Sequence, residues 1–237
     1  ISQYANCYLL DLRNHGASEH RDTMTSAEMA EDVYYWIKQH KVDSKDLVIM
    51  GHSMGARVTM AFATIYPDVP KGVIIVDFAP YNYTNDPRFH TIKSNKEMIE
   101  KLAALKLEGE WNDIKKAISE VAVNKDAAGL ILMNVVNVGN GKYKWKPNIK
   151  AIANRYSDIT GTEWEGTQKY AGPRRVICGE KSDYITMDIL PSFNKVFEDF
   201  DVHRDLVFVK EAGHWVHFQK PRDFIDQVAD FLEKLSK

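Results

Sequence analysis

Apolar residues in this chain fall into two alternating patterns: short continuous runs, and longer stretches in which they recur every three or four positions. Residues 7–12 (CYLLDL) are a continuous run ending in the polar, glycine-containing segment Arg13-Asn14-His15-Gly16, which predicts a buried strand followed by a loop. Met29, Val33, Trp36 and Ile37 then follow helical spacing. Thr25 and Glu28 ahead of them have the spacing of a capping box, in which each side chain satisfies a free backbone N–H of the first turn. The predicted helix ends near His40. Leu47-Val48-Ile49-Met50 predicts a second strand, broken at Gly51 into a helical segment that runs up to Pro67, and Gly72-Val73-Ile74-Ile75-Val76-Asp77 predicts a third strand.

Strands that are apolar throughout and alternate with helices indicate a parallel sheet covered on both faces, so the predicted fold class is α/β. The rhythm returns with a strand at 175–178, a helix over 189–200, a strand at 206–209 and a closing amphipathic helix marked by Phe224, Ile225, Val228, Phe231, Leu232 and Leu235. Between the two blocks, Ile92–Leu105 and Trp111–Val123 have helical spacing and no alternation of strand and helix is evident. Residues 1–81 and 169–237 are therefore expected to form an α/β core, and 82–168 a helical insertion. An insertion after the third strand would cap the crevice where open α/β sheets bind ligands.

Composition narrows the function classes. Lys and Arg number 31 against 33 Asp and Glu, for a formal charge of −2, so no basic stripe for nucleic acid or polybasic patch for anionic lipid is expected. No apolar run approaches the roughly 18 residues of a membrane span, and no integral membrane segment is expected. Cys7 and Cys178 each lie in a run that predicts a buried strand, which argues against a disulfide and suits a reducing compartment. The chain begins Ile-Ser-Gln and shows no targeting segment, so further residues are expected to precede it.

The most informative motif is Gly51-His52-Ser53-Met54-Gly55, a G-x-S-x-G between a strand and a helix. A serine on so tight a turn projects its hydroxyl, and the flanking glycines are expected to leave room for neighbouring chain. The helix behind it presents a positive dipole end and the free N–H of Met54, a donor for an oxyanion. Ser53 is thus the expected nucleophile, and it needs a base. Of eight histidines, His214 follows the last strand, at the functional edge of the sheet. His217 fits a surface helix, His52 a packing role under the turn, and His15, His20, His40, His90 and His203 fit loops or helix ends. The residue that orients the imidazole is either Asp77, which closes the third strand, or Asp183, in the loop after the strand at 175–178. No paired spacing suggests a metal, and no cofactor is expected.

The segments DLRNHGAS (11–18), GHSMG (51–55), VDFAP (76–80) and AGHWVH (212–217) resemble the α/β hydrolase family, in which serine, acid and histidine occur in that order. More narrowly, the R-N-H-G loop, V-D-x-x-P and Trp145-Lys146-Pro147-Asn148 resemble the branch of mitochondrial abhydrolase-type esterases and thioesterases and yeast ethanol acetyltransferases. The resemblance implies that the acid lies 24 residues beyond the serine, which is Asp77. In other α/β hydrolases the acid stands three residues after the glycine of the later strand, a place held here by Ser182, with Asp183 one step off register. It also implies an earlier strand and a His-Gly loop that supplies a second oxyanion donor, and neither is found in this sequence.

The expected activity is serine-dependent acyl transfer through an acyl-enzyme. By resemblance this is an acetyl-CoA:alcohol acetyltransferase with esterase and thioesterase side activity. A plain carboxylesterase or thioesterase is the alternative, and a non-catalytic binding protein on a hydrolase scaffold is a third reading. The expected partners are a small ester or acyl-CoA with a small alcohol or water, Phe78, Tyr81 and Trp215 are expected to wall the substrate site, and a monomer is expected. Mitochondrial placement comes from the resemblance, with the cytoplasm as the alternative.

Overall fold

In the computed structural model, which describes residues 2–84, 86–161 and 168–236, the elements run in chain order as follows. Helix α1 (Ser26–Gln39), strand β1 (Val48–His52), helix α2 (Met54–Ile65) and strand β2 (Gly72–Val76) come first. They are followed by α3 (His90–Ala104), α4 (Trp111–Val121), α5 (Lys125–Leu132), the strands β3 (Val135–Gly139) and β4 (Lys142–Trp145), and the short helices α6 (Ile149–Asn154) and α7 (Tyr156–Thr160). The chain closes with β5 (Arg174–Gly179), α8 (Val202–Asp205), β6 (Leu206–Val209), α9 (Val216–Gln219) and α10 (Pro221–Leu235). Residues 85 and 162–167, within the predicted insertion, lie outside the described residues.

Two compact units emerge. The first comprises Ile1–Leu9, Ser26–Asn82 and Gly161–Lys237, the second Leu10–Thr25 and Tyr83–Thr160. The first holds a four-stranded sheet of order β1-β2-β5-β6 in which every pairing is parallel. Parallel neighbours need crossover connections, and α2 supplies the one between β1 and β2. All five residues of β2 are buried, as a strand covered on both faces requires. Ile74 and Val76 join Ile177 and Val209 in a core closed by Phe224, Val228 and Phe231 of α10. Val73 and Ile75 alternate to the opposite face, the side of α2, whose Met60, Phe62 and Ala63 are fully buried. The second unit builds its own core from Leu102, Leu107, Ile114 and Ile118, with Trp111, Tyr143 and Trp145 packed against it.

Three expectations are corrected. Residues 7–12 form no strand: Leu9 is 96% exposed, Tyr8 packs its ring on Trp36, and Cys7 is exposed rather than buried. An apolar run becomes a strand only where a neighbour offers a hydrogen-bond ladder, and no described strand pairs with this one. The segment 189–200 is not an α-helix but a 3₁₀ helix over Met187–Lys195, because Pro191 lacks an N–H and its ring clashes with a preceding α-turn. The middle segment is not purely helical. It contains the antiparallel β3–β4 pair, reversed at Gly139-Asn140-Gly141, all three with positive φ.

A buried ion pair ties the ends of β5 and β6 together. Arg174 Nε donates to Asp205 Oδ2 at 2.9 Å, both side chains are about 5% exposed or less, and Arg204 Nε and the Asp201 N–H also donate to the carboxylate, at 2.7 and 3.0 Å. Breaking such a pair leaves a buried charge without its counter-ion. Asp205→Ala is expected to destabilise the protein by about 3–5 kcal/mol, read as a lower urea midpoint at unchanged slope; an unchanged midpoint would show that the carboxylate stabilises nothing.

Candidate active site

Ser53 sits between β1 and α2 with φ 54° and ψ −117°, a conformation that side chains with a Cβ seldom adopt. Its strain is held by the surroundings: the Ser53 N–H donates to the Val76 carbonyl at 3.0 Å, while its own carbonyl accepts from Ala56 and Arg57 and so opens α2. Gly51 is required here, because a Cβ at that position would stand 2.0 Å from the Gly55 carbonyl oxygen. Gly55 is not required for space, since a Cβ there would meet nothing within 4 Å. The predicted need for room applies to the first glycine alone. Among the described residues neither the Ser53 hydroxyl nor the Met54 N–H has a hydrogen-bond partner.

Asp77 follows the last residue of β2, beside Ser53, and is also strained, with φ 52°. Its carboxylate is fully buried and accepts three hydrogen bonds. The Gly179 N–H donates to Oδ1 at 3.1 Å, and Oδ2 lies 2.5 Å from the Ser182 hydroxyl and 2.7 Å from His214 Nδ1. The close approach of β5 to the loop carrying His214 depends on Gly179, where a Cβ would stand 2.2 Å from the Gly213 carbonyl oxygen. With Nδ1 donating to a carboxylate, His214 has Nε2 left as the acceptor, the tautomer of a general base. Tyr184 stacks on the imidazole, with ring centroids 3.8 Å apart and planes 14° apart.

The structure therefore brings Asp77 and His214 into direct contact and sets Ser53 next to Asp77 on the adjacent strand. Asp183 does not occupy His214 Nδ1. The residue of its loop that reaches Asp77 is Ser182. Phe78 is buried against Tyr184, Tyr81 is half-buried with its carbonyl accepting from Arg57 Nη1 at 3.1 Å, and Trp215 is 46% exposed with its ring 5.9 Å from that of His214.

Sequence reasoning missed four contributors: Gly179, Ser182, Tyr184 and the polar role of His52. Ser182 had a signal, since it stands where other α/β hydrolases place their acid. His52 had none, because its partner lies 162 residues away: His52 Nε2 is 2.8 Å from the His214 carbonyl oxygen. Burial, with the neighbouring His214 second, lowers the His52 pKa to about 3 and keeps the ring neutral. Burial likewise lowers His217 and pushes the thiol of Cys178, in the same sheet, well above its usual range.

Comparison with known proteins places the geometry in context. Residues 2–227 match the family described as "Alpha/beta hydrolase family". The chain is 30% identical over 231 residues to the sn-1-specific diacylglycerol lipase of Danio rerio, covering 94% of this chain and 68% of that protein. It is 26% identical to a probable alcohol acetyltransferase of Saccharomyces cerevisiae, covering 96% of this chain and 68% of that protein. A solved marine microorganism esterase superposes with a TM-score of 0.83 at 33% identity, over 93% of this chain and 82% of that one.

Proposed function

Since the chain belongs to the alpha/beta hydrolase family, we propose that it transfers acyl groups through an acyl-enzyme on Ser53, with His214 as base and Asp77 as the acid that orients it. The observation that carries this reading is the buried Asp77–His214 hydrogen bond of 2.7 Å beside a serine at φ 54°. In the first half-reaction His214 Nε2 takes the Ser53 proton as Oγ adds to the carbonyl carbon. The Met54 N–H faces the oxygen that becomes negative, and the imidazolium is balanced by Asp77. Collapse of the adduct expels the alkoxide or thiolate, which leaves with the proton from His214. In the second half-reaction His214 Nε2 takes the proton of water, or of a small alcohol, as its oxygen adds to the acyl carbon from the place the leaving group vacated, and collapse of that adduct returns the proton to Ser53 Oγ and releases the acid or ester.

The substrate is a short-chain ester or an acyl-CoA thioester. The relatives include a lipase, an esterase and a probable alcohol acetyltransferase, and a serine acyl-enzyme is an intermediate that can serve each of these reactions. The first two pass the acyl group to water and differ in the donor, and the third passes it to an alcohol. We assign Trp215 to the wall of the acceptor side, because it is exposed and adjoins the His214 ring. Buried Phe78 supports Tyr184 beneath, and Tyr81 stays with the substrate wall as expected from the sequence.

The test is product partition. With acetyl-CoA or a simple aryl acetate as donor, rising ethanol is expected to divert product from acetate to ethyl acetate, with a product ratio at each ethanol concentration that is the same for both donors, since both acceptors draw on one intermediate. Both products should vanish in Ser53→Ala. Acetate undiverted by ethanol would leave a plain esterase or thioesterase, and no Ser53-dependent product from either donor would leave a binding protein on a hydrolase scaffold.

A further inference from the structure

We propose that His52 is a positioning residue: its imidazole clasps the loop carrying His214 to the turn carrying Ser53, and so fixes the base relative to the nucleophile. The proposal rests on the reading of Ser53 as nucleophile and His214 as base.

His52 immediately precedes the nucleophile and ends β1, where it pairs with Val76. Its Nε2 lies 2.8 Å from the main-chain carbonyl oxygen of His214. A carbonyl can only accept, so Nε2 must carry the hydrogen, and the ring acts as a neutral donor. Neutrality matters to the chemistry. His214 becomes a cation in each half-reaction, with its ring centroid 4.6 Å from that of His52, and a second cation there would oppose the charge that the acid stabilises. The other groups facing His52 are His217, whose ring centroid is 4.8 Å away, and Trp215, at 5.2 Å. Neither contributes a carboxylate that would favour a charged His52, and burial disfavours charge on the ring as well.

The remaining anchors of the base-carrying loop reach in other directions. The Gly213 N–H donates to Gln219 Oε1 at 2.6 Å, and the Ala212 carbonyl accepts from the Lys181 N–H at 2.8 Å. These tie the loop to α9 and to the end of β5. The roles are thus separate: Asp77 sets the rotation of the His214 ring, Tyr184 supports its face, and His52 links the His214 backbone to the nucleophile turn. Serine attack depends steeply on the Oγ-to-Nε2 separation, and a misplacement of about 1 Å can cost on the order of 100-fold in rate.

The test separates a donor from a space-filler. His52→Phe keeps an aromatic ring and removes the donor, whereas His52→Gln carries an amide nitrogen near the place of Nε2. His52→Phe is expected to lower kcat for an aryl acetate by about 10- to 100-fold with little change in KM, as befits an interaction felt in the transition state. His52→Gln is expected to recover most of that loss, with both melting temperatures recorded. Should the phenylalanine variant fail to fold, His52→Asn takes its place, because its shorter amide mimics the Nδ1 position and does not reach the carbonyl. A wild-type kcat in the donor-less variant, or equal loss in the glutamine variant, overturns the proposal. Ser53→Ala and His214→Ala run alongside: activity surviving in those two removes the acyl-enzyme reading itself, while their inactivity with a full-rate His52→Phe removes only the clasp.

Discussion

Ser53→Ala is expected to lower kcat for ester cleavage by about 10⁶-fold, to the residue that binding and oxyanion stabilisation alone provide. The size follows from the mechanism: without Oγ no acyl-enzyme can form, and the remaining groups of a nucleophilic site contribute little once one member is gone. The readouts are single-turnover kinetics and intact mass after incubation with an aryl acetate, where wild-type protein gains one acyl group and the variant none. A companion variant isolates the strain of the turn. Serine at φ 54° costs about 1–3 kcal/mol that glycine avoids, so Ser53→Gly is expected to be inactive yet to melt above the wild type, whereas Ser53→Ala keeps the strain. An alanine variant that turns over at the wild-type rate would show that the elbow is structural.

Asp77→Asn is expected to lower kcat by about 10⁴-fold with the fold intact. An amide presents an N–H to the Nδ1 that the carboxylate now accepts from, which favours the wrong tautomer of His214 and withdraws the charge opposite the imidazolium. Asp183→Asn is expected to stay near the wild-type rate, because the contact to Asp77 from that loop is made by the Ser182 hydroxyl at 2.5 Å. The same contact motivates a transplant. In an Asp77→Ser background, Ser182→Asp places a carboxylate one bond beyond the present hydroxyl, toward the space vacated beside His214 Nδ1. Recovery of a substantial part of the lost kcat/KM is the expected result. A large loss in Asp183→Asn, with Asp77→Asn unaffected, would reverse the assignment.

The legibility of this chain divides by sequence distance. The apolar runs at 47–50, 72–77, 175–178 and 206–209 each give a strand in the structure, and for β2 and residues 176–178 of β5, buried at every position, the reason is that a strand covered on both faces must be apolar throughout. The closing helix was equally plain, since its stripe recurs over four turns. The serine turn was readable because its signature is local: a strand, five residues, a helix. The run at 7–12 misled, for apolar character states that a segment can be a strand but not that a partner will lie beside it. The hairpin at 135–145 was missed where helical neighbours dominated the pattern.

The site itself divides the same way. Ser53, Asp77 and His214 could be nominated from their places at strand ends, yet the choice between Asp77 and Asp183 needed a resemblance, as both loops open on one edge of the sheet. Composition and patterning nominate what can lie inside and which segments can extend or coil, because hydrophobicity is a property each side chain carries wherever it sits, whereas burial also needs a neighbour, as exposed Leu9 shows. Which hydroxyl touches the acid and which imidazole clasps the base loop are different in kind. Ser182 on Asp77 and His52 on His214 are hydrogen bonds of 2.5 and 2.8 Å across 105 and 162 residues. Hydrogen bonds act over a single ångström-scale gap, so partners that far apart along the chain are chosen only when parallel strand register brings β1, β2 and β5 side by side.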